Sequence, residues 1–300
     1  MFLLNLTEEN MLDFIANPMA GGKNGKKMHS VLAKLESRLK ERNVEYTIHI
    51  THQLKQSRTK TEELIKNGAT TIIAVGGDGT IHEVLNGFCE FDKCTLGIIP
   101  CGTGNDFASA IGLPTDPVEA LDVILDGTPK YTDFMQMPGV RGLNIIGTGI
   151  DVDVLKRYNS LKKKTKFGYT WSLIKTLLNF KYIEFDAVID GKTEHYRSFI
   201  AGIANGTRYG GGIKLCPDAN ASDNYLDFVA VKEMGLFRII KAFTKLKKGN
   251  ILNMKETTHK KMKSVKIITD SPVTVNVDGE LYDGIPFEVE IVSNTLRIYR

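Results

Sequence analysis

The sequence lacks a long apolar run. A helix that crosses a bilayer needs about 20 consecutive apolar residues, and no stretch of the 300-residue chain approaches that length. The apolar start, residues 1–6, is too short for a secretion signal and carries no basic residue. We therefore expect a soluble protein that remains in the cytoplasm.

Cysteines are few, and neither sign of charge dominates. Cys89, Cys94, Cys101 and Cys216 follow neither the spacing of a metal site nor that of a disulfide framework. The formal net charge is only +4, and no recognised nucleic-acid-binding fold or aromatic-basic motif accompanies it. These absences argue against a disulfide-rich secreted domain and against a nucleic-acid partner.

The first 129 residues alternate predicted strands with predicted helices. Apolar residues recur at helical spacing between short β-branched runs, as in Met28, Val31 and Leu35. The alternation predicts right-handed βαβ units and therefore a doubly wound α/β domain with a parallel sheet. The predicted strands are residues 11–16, 45–50, 70–75 and 95–99.

A glycine-rich turn follows the third predicted strand. Gly76, Gly77 and Gly79 would let a ligand approach the backbone, while the first amides of a helix over residues 81–88 carry partial positive charge. This pattern predicts a phosphate-binding loop. Because Asp78 would repel a bare phosphate, it indicates a magnesium nucleotide. The alternative is a tight turn in which Asp78 is solvated or caps the helix.

A second turn of the same kind follows the fourth strand. Residues 100–107 contain Gly102, Gly104 and Asp106 before another predicted helix. Because the carboxyl ends of neighbouring parallel strands meet at one sheet edge, the two turns together predict a nucleotide site there. Residues 17–21 would form a third loop facing the nucleotide, with an ordinary Asn-Pro turn as the alternative.

Short β-type runs dominate after residue 130 and predict an antiparallel β-sandwich. We place the domain boundary at residues 127–130, with an α/β domain over 1–129 and a β-sandwich domain over 130–300. The last strand, 295–300, could instead return to the first domain. The predicted strands of the sandwich are residues 131–136, 143–147, 184–189, 196–204, 226–231, 265–269, 273–277 and 287–292.

Two basic amphipathic helices are predicted within the sandwich domain, over residues 153–180 and 236–248. Such helices can rest on an anionic membrane surface. Alternatively, each apolar stripe packs on the sandwich and the lysines are solvated. Both alternatives stay open, and the better membrane candidate is the cluster of Lys162, Lys163, Lys164 and Lys166.

Two polar turns in the second domain carry candidate chemistry. Oxygen-rich side chains over residues 218–225 suit a hard cation, although a plain Asn/Asp turn is the alternative. The strand over 273–277 ends in Asp278-Gly279-Glu280, by itself a hairpin turn with two exposed acids. Residues 210–212, three glycines, could be a hinge or a close approach of backbone to substrate.

Four motifs together resemble a known family. They are Asn-Pro-Met-Ala-Gly at 17–21, Gly-Gly-Asp-Gly-Thr at 76–80, Gly-Thr-Gly-Asn-Asp-Phe at 102–107 and Asp-Gly-Glu at 278–280. Their order resembles the diacylglycerol kinase catalytic-domain family, and most closely its soluble bacterial diacylglycerol and lipid kinases. The similarity extends over nearly the whole chain.

The resemblance implies ATP and Mg²⁺ as cofactors. Asp78 and Asp106 would hold the nucleotide's magnesium, and Glu280 would accept the proton of the substrate hydroxyl. A structural magnesium would be bound by Asn220, Asp223 and Tyr225, although Asn224 stands where the family usually has glycine. The residues implied to contact ATP are Asn17, Pro18, Met19, Ala20, Gly21, Thr51, Gly77, Asp78, Gly79, Thr80, Ile81, His82, Glu83 and Thr103.

The resemblance implies that residues 1–129 are the ATP-binding domain and residues 130–300 the lipid-substrate domain. The implied activity is phosphorylation of diacylglycerol or a related lipid alcohol at the anionic inner face of the membrane, giving phosphatidic acid. A soluble kinase of the NAD kinase type is an alternative, but it would carry an Asn-Glu pair in the second loop. A non-catalytic nucleotide- or lipid-binding regulator is another, against which the retained Glu280 argues. The sequence does not identify the lipid alcohol, nor whether an exposed sandwich edge supports a homodimer.

Overall fold

The computed structural model describes residues 11–18, 26–53, 55–160, 176, 180 and 182–300. These residues fall into two units, one reaching Asp133 and including Ser293–Arg300, the other being Phe134–Val292. The chain leaves the first unit within strand β5 (Pro129–Met137) and re-enters it within strand β15 (Glu288–Tyr299). In the part of the chain that is described, no helix is both long and apolar enough to span a membrane.

The first unit is built on four parallel strands in the order β2-β1-β3-β4. This is the doubly wound arrangement that the sequence predicts. Residues near the end of β15 add a further parallel contact, Ile298 to Leu96. The elements are β1 (Leu12–Ala16), α1 (Lys26–Glu41), β2 (Tyr46–Ile50), α2 (Gln56–Lys66), β3 (Thr71–Gly76), α3 (Asp78–Gly87), β4 (Thr95–Pro100), α4 (Asp106–Ala110) and α5 (Pro117–Asp126).

Burial explains why the first-unit strands read as continuous apolar runs. All six residues of β3 and all six of β4 are buried, as expected of parallel strands covered on both faces. The apolar stripe of α1 packs on the sheet through Met28, Leu35 and Leu39. Helix α5 begins after Asp116, whose carboxylate accepts the amide hydrogens of Val118 and Glu119.

The strand order places a topological switch point in the first sheet. Strand β1 pairs with β2 on one side and with β3 on the other, so the chain reverses direction across the sheet after β2. In open α/β sheets, ligands bind outside the carboxyl ends of the strands at such a point. Here those ends carry Asn17 after β1 and Gly77 after β3.

Among the described residues, the strand pairs of the second unit are antiparallel, as the sequence predicts. Strand β9 is central, because it pairs with β7, β8 and β10. The further elements are β6 (Val140–Gly142), β7 (Ile145–Gly149), α6 (Ile150–Asn159), β8 (Ile183–Ile189), β9 (Lys192–Ala204), β10 (Leu226–Lys232), α7 (Leu236–Lys248), a 3₁₀ turn (Ile251–Asn253), β11 (Thr257–Met262), β12 (Ser264–Ile268), β13 (Val275–Val277) and β14 (Glu280–Tyr282).

The second unit has an apolar cluster on each face of β9. Ala201 and Ile203 belong to one cluster, while Ile200 and Ala204 belong to the other. The latter cluster is covered by helices α6 and α7, through residues such as Val154, Ile239 and Leu246. Because β9 is buried on both faces, residues 198–204 show no alternation of apolar and polar side chains.

Several predicted boundaries differ from the structure. The helix predicted from Asp153 begins at Ile150 and ends at Asn159, and residues 161–175, with the lysine cluster at 162–166, lie outside the described residues. Helix α3 begins at Asp78, three residues earlier than expected. Residues 210–212, a hinge or a close approach of backbone to substrate in the sequence analysis, lie in a turn whose flanking residues, Tyr209 and Ile213, exchange backbone hydrogen bonds of 2.9 Å.

Candidate active site

The two glycine turns of the first unit meet backbone to backbone. A Cβ atom added to Gly102 would lie 2.5 Å from the Cα atom of Gly77, and one added to Gly77 would lie 3.1 Å from the Cα atom of Gly102. Side chains at these positions would push the turns apart, so glycine is required for the contact. The turns after β3 and β4 therefore form one continuous backbone surface at the carboxyl edge of the sheet.

Two carboxylates follow these turns at the first positions of helices α3 and α4. The Oδ1 atom of Asp78 accepts the amide hydrogen of Phe107 at 3.3 Å, which ties the first turn to the start of α4. Asp106, the first residue of α4, is buried. Carboxylate oxygens are the donors that Mg²⁺ prefers, so Asp78 and Asp106 fit a magnesium ion at this edge.

Asn105 shapes the second turn. It adopts the left-handed conformation, with φ of 55°, and its side-chain oxygen accepts the amide hydrogen of Gly102 at 2.8 Å. The side-chain amide also donates to the Gly102 carbonyl at 3.3 Å. The turn is thus closed by its own asparagine, while Thr103 is exposed at its tip.

The residues predicted to contact ATP along helix α3 have different environments. Gly77 caps the helix without a side chain, and Gly79 is exposed, so the backbone is accessible there. Buried within the helix are Thr80, Ile81 and His82. Their side chains pack inside the first unit, which leaves the backbone of the first turn as the accessible surface.

Glu83 has a structural role that the resemblance does not imply. Its two carboxylate oxygens accept the amide hydrogens of Lys55 at 2.8 Å and Ser57 at 3.1 Å. Those amides lie at the start of helix α2, where a negative charge is favourable. The Glu83 carboxylate is therefore committed to α2, and sequence reasoning missed this because the partners lie 26 and 28 residues away.

The loops after β1 and β2 are held together beside these turns. The Thr51 hydroxyl is buried, donating to the Ala16 carbonyl at 3.3 Å and lying 3.0 Å from the Ser57 hydroxyl. Asn17 donates its amide hydrogen to the Val75 carbonyl at 3.3 Å. Pro18 follows Asn17 in a turn, and the remaining predicted contacts of this loop, Met19, Ala20 and Gly21, lie outside the described residues.

Lys27 is a further candidate residue of the nucleotide site. Its ammonium donates to the Cys101 carbonyl at 3.4 Å, which brings a positive charge to the second glycine turn. The Cys101 thiol itself is buried, and burial raises its pKa to about 11. Cys101 is therefore a small space-filling residue rather than a reactive thiol.

The second unit carries Glu280 on a tight hairpin. Strands β13 and β14 are joined by Asp278 and Gly279, whose φ values of 53° and 98° are those of the favoured two-residue turn. Glu280 is exposed at the start of β14. Its carboxylate is therefore available to a ligand of the second unit.

Asp278 is a structural clamp, so the interpretation of two exposed acids is wrong for this residue. Its carboxylate accepts three backbone amide hydrogens, from Leu143 at 2.6 Å, Asn144 at 2.9 Å and Ile145 at 3.0 Å. The partners lie more than 130 residues away in the chain. The three hydrogen bonds fix the hairpin that bears Glu280 to the start of β7.

A buried pair lies behind the same hairpin. Asn276 accepts the Gly279 amide hydrogen at 2.9 Å and donates to the Oδ2 atom of Asp151 at 3.0 Å. Asp151 is buried at the start of α6, and burial raises the pKa of its carboxyl to about 6. No spacing in the sequence distinguishes Asp151 from an ordinary acid in the first turn of a helix.

In the polar loop before β10, oxygen atoms of Asn220 and Asp223 accept hydrogen bonds from N–H donors. The Asn220 carbonyl accepts the amide hydrogens of Ser222 at 2.8 Å and Asp223 at 3.3 Å. The Asp223 carboxylate accepts the Tyr225 amide hydrogen at 3.0 Å and the Lys261 ammonium at 2.6 Å. Asn224 has φ of 63°, so it adopts the left-handed conformation for which glycine is usual.

Cys216, Asp227 and His259 form a second cluster with metal-ligand chemistry, since their donor atoms lie within 4.8 Å of one another. The His259 imidazole is already 2.6 Å from the Asp227 carboxylate, and the Lys261 ammonium is 3.6 Å from it. Burial raises the pKa of the Cys216 thiol to about 12, so the thiol stays protonated. We interpret the cluster as a buried ion-pair network.

Comparison with known proteins gives concordant matches for the two halves. The model described as the diacylglycerol kinase catalytic domain matches residues 11–137, and the model described as the YegS C-terminal NAD kinase beta sandwich-like domain matches residues 144–300. A diacylglycerol kinase of Bacillus subtilis (strain 168) is 30% identical over 279 residues, 91% of each chain. One from Mycobacterium tuberculosis (strain ATCC 25618 / H37Rv) is 28% identical, over 95% of this chain and 94% of that protein.

A solved structure agrees with these matches. The crystal structure of a diacylglycerol kinase from Bacillus anthracis (strain Sterne) aligns with a TM-score of 0.76 and 26% identity, over 97% of this chain and 96% of that chain. The similarity therefore extends over both units rather than over the glycine turns alone.

Proposed function

Because the chain belongs to the diacylglycerol kinase family and is a lipid kinase, we propose that it transfers the γ-phosphate of ATP, with Mg²⁺, to the hydroxyl group of diacylglycerol or a related lipid alcohol. The product with diacylglycerol would be phosphatidic acid. The observation that carries this proposal is the contact between Gly77 and Gly102, with Asp78 and Asp106 directly beyond the two turns.

The first unit would bind the nucleotide at the carboxyl edge of its sheet. The accessible backbone at Gly77, which is half-buried, and at Gly79, which is exposed, suits the phosphates because the first amides of α3 carry partial positive charge. Lys27, whose ammonium reaches the second turn, would add a cation. When bound, Mg²⁺ would offset the charge of the triphosphate, and Asp78 and Asp106 are the residues that would hold it.

Glu280 would accept the proton of the lipid hydroxyl. An exposed carboxylate can orient the hydroxyl and take its proton as the oxygen attacks the γ-phosphorus. The Asp278 clamp and the Asn276 hydrogen bond hold the hairpin in place, so the side chain of Glu280 projects from a fixed backbone. The residue therefore meets the requirement that a proton acceptor be positioned before the reaction.

The proposal is tested by phosphate transfer from labelled ATP to diacylglycerol in mixed anionic micelles. Glu280→Gln keeps the size of the side chain but cannot take a proton, so we expect the transfer rate to fall by roughly 100-fold or more. Glu290→Gln, an exposed glutamate on β15, is the matched control and should keep the native rate.

The outcomes separate the alternatives. Transfer to another lipid alcohol, but not to diacylglycerol, would keep the mechanism and replace the substrate. Phosphorylation of NAD without lipid turnover would support the NAD kinase alternative, and binding of ATP without any turnover would support a regulator. A native rate in Glu280→Gln would refute the assignment of the proton acceptor.

We also propose that helix α7 docks on an anionic membrane, where the lipid substrate is held. One face of the helix packs on the second unit through Ile239, Ala242 and Leu246. On the outward side, Phe237 is 89% exposed and Ile240 is 54% exposed. Phe237 and Ile240 are one helical turn apart and form an apolar patch, and contiguous exposed apolar patches mark lipid or protein contacts.

Positive charge extends the same outward stripe. Lys241 and Lys248 are four and eleven residues after Phe237, a spacing that puts all three on one side of the helix. Both lysines are exposed, whereas the Arg238 guanidinium is paired with Glu256 at 2.8 Å. An apolar tip flanked by lysines matches the surface of a bilayer that contains anionic lipid.

Sedimentation with vesicles tests the docking helix. Phe237→Ser with Ile240→Ser should reduce binding to phosphatidylglycerol vesicles by removing the inserted apolar area. Lys241→Gln with Lys248→Gln should weaken it by about 2 kcal/mol, or roughly 30-fold, at about 1 kcal/mol per lysine. The control pair is Lys34→Gln with Lys40→Gln on α1, also exposed. Unchanged sedimentation of both α7 variants would refute docking through this helix.

A further inference from the structure

The loop that precedes β10 is where the family resemblance places a structural magnesium. The donors in question are Asn220, Asp223 and Tyr225. The Asn220 carbonyl accepts two backbone amide hydrogens, so both of its lone pairs are engaged within the loop. The Asp223 carboxylate likewise has N–H donors on both oxygens. The Asn220 and Asp223 oxygens of this set are engaged by N–H groups, so they do not fit a divalent metal ion unless these hydrogen bonds are given up.

A positive charge already stands beside this carboxylate. The Lys261 ammonium lies 2.6 Å from the Oδ2 atom of Asp223 and 3.6 Å from the Oδ2 atom of Asp227. Asp227 is only 2% exposed, so its charge requires a partner. The ammonium thus lies beside both carboxylates, as a divalent ion would in a loop without this lysine, and the other oxygen of Asp227 is 2.6 Å from the His259 imidazole.

The strand register explains why Lys261 reaches both groups. In the antiparallel pair of β10 and β11, Lys261 lies directly opposite Asp227. Its side chain therefore runs across β10 toward the loop that leads into that strand. Asp223, four residues before Asp227 in the chain, lies in contact with the end of the Lys261 side chain.

The surroundings would repel an added divalent cation. The Lys263 ammonium lies 5.6 Å from the centre of the Tyr225 ring, so a second lysine flanks the same loop. Partial burial lowers the pKa of the Lys261 ammonium, but the hydrogen bond to Asp223 and the charge of Asp227 together raise it above its usual value. The lysine is therefore charged throughout the neutral range.

We infer that the Lys261 ammonium replaces the structural divalent cation in this chain and fastens the 220–225 loop to strand β11. The loop is then stable without metal, and the chain's need for Mg²⁺ is confined to the nucleotide. This inference concerns the second unit and does not depend on the identity of the lipid substrate.

The first experiment compares the thermal unfolding of the metal-stripped native chain with and without millimolar Mg²⁺, in the absence of nucleotide. We expect the same Tm in both buffers. Any shift due to the nucleotide site should disappear in Asp78→Asn and persist in Asp223→Asn, which would also support the inference. A shift that persists in Asp78→Asn but disappears in Asp223→Asn would overturn it, because the loop would then bind the metal itself.

The second experiment removes the ammonium. Lys261→Met keeps most of the length of the side chain and leaves Asp223 without its ammonium partner, so Tm in stripped buffer should fall by roughly 3 °C. Mg²⁺ or Mn²⁺ should restore it, because the two carboxylates can then share a metal. Lys263→Met, the matched control, should show no metal dependence.

Terbium provides a readout of the site itself. Tyr225 is beside the loop and can sensitise Tb³⁺ luminescence, so emission should appear in Lys261→Met and be lost in Lys261→Met with Asp223→Asn. Emission of equal strength in the native chain, lost in Asp223→Asn, would overturn the inference. If Lys261→Met does not fold, comparison of the native chain with the single variants Asp78→Asn and Asp223→Asn still distinguishes the two outcomes.

Discussion

Asp151 shows what a single buried carboxyl contributes to the hairpin that bears Glu280. The carboxylate accepts a hydrogen bond from Asn276, which in turn accepts the Gly279 amide hydrogen. Burial disfavours the charged form and raises the pKa of the carboxyl from 3.8 to about 6. The hairpin thus rests on a group that is costly to ionise, and this cost depends on pH.

The sign of the pH effect follows from proton linkage. Between pH 4 and 6 the folded chain binds the Asp151 proton more tightly than the unfolded chain does, so this contribution to stability is present at low pH. It is lost as the pH rises through about 6. A rise of about two pKa units corresponds to about 3 kcal/mol.

Asp151→Asn should remove this dependence. The amide can still accept from Asn276 but carries no charge, so the variant should gain stability relative to the native chain by up to about 3 kcal/mol between pH 4 and 7. Urea unfolding at several pH values measures the difference. Asp270→Asn, an exposed carboxyl of the same unit, is the control. A difference that does not change with pH would refute a raised pKa.

The glycine turns act at the scale of elements, because they allow two strand-to-helix connections to touch. Gly77 ends the connection after β3 and Gly102 lies in that after β4. The Asp78 carboxylate crosses between them to the first turn of α4. The relative position of α3 and α4, and hence of Asp78 and Asp106, depends on this contact.

Gly102→Ala should separate the turns. Its Cβ atom would lie 2.5 Å from the Gly77 Cα atom and 2.8 Å from the Asn105 side-chain oxygen, so backbone atoms must shift. Since a displacement of about 1 Å can cost 100-fold in rate, we expect kcat/KM for ATP to fall by roughly that factor. Gly235→Ala, with no atom within 4 Å, is the control. Native kcat/KM in Gly102→Ala would argue against a nucleotide site at the two turns.

At the scale of the whole molecule, the path of the chain divides the proposed chemistry between two units. Asp78 and Asp106 belong to the first unit and Glu280 to the second. The last strand, β15, begins in the second unit, where Val289 pairs with β12, and ends in the first, where Leu296 and Ile298 are fully buried. The C-terminal residues therefore help to build the first unit, a possibility that the sequence left open.

Local patterns were sufficient for the architecture of both units. Two patterns carried this information: the alternation of strands and helices before residue 129, and the short β runs after it. Both are patterns of neighbouring residues, and they reflect whether a strand is buried on one face or on both. Positions with special backbone requirements could also be identified from residue type. Gly77 and Gly102 stand at the turns, and Asn224 takes a left-handed conformation. The boundaries were less accurate, because helix ends depend on caps and contacts such as those of Gly77.

Side-chain roles that depend on distant partners were decided only by the tertiary structure. The sequence by itself determined the two fold classes and the glycine turns, because spacing along the chain encodes them. It could not show that Asp278 clamps β7, that Glu83 caps α2, or that Lys261 pairs with Asp223, because an acid or a lysine looks the same whether solvated or paired. Folding brings partners 26 to 135 residues apart into contact, and that contact sets their chemistry.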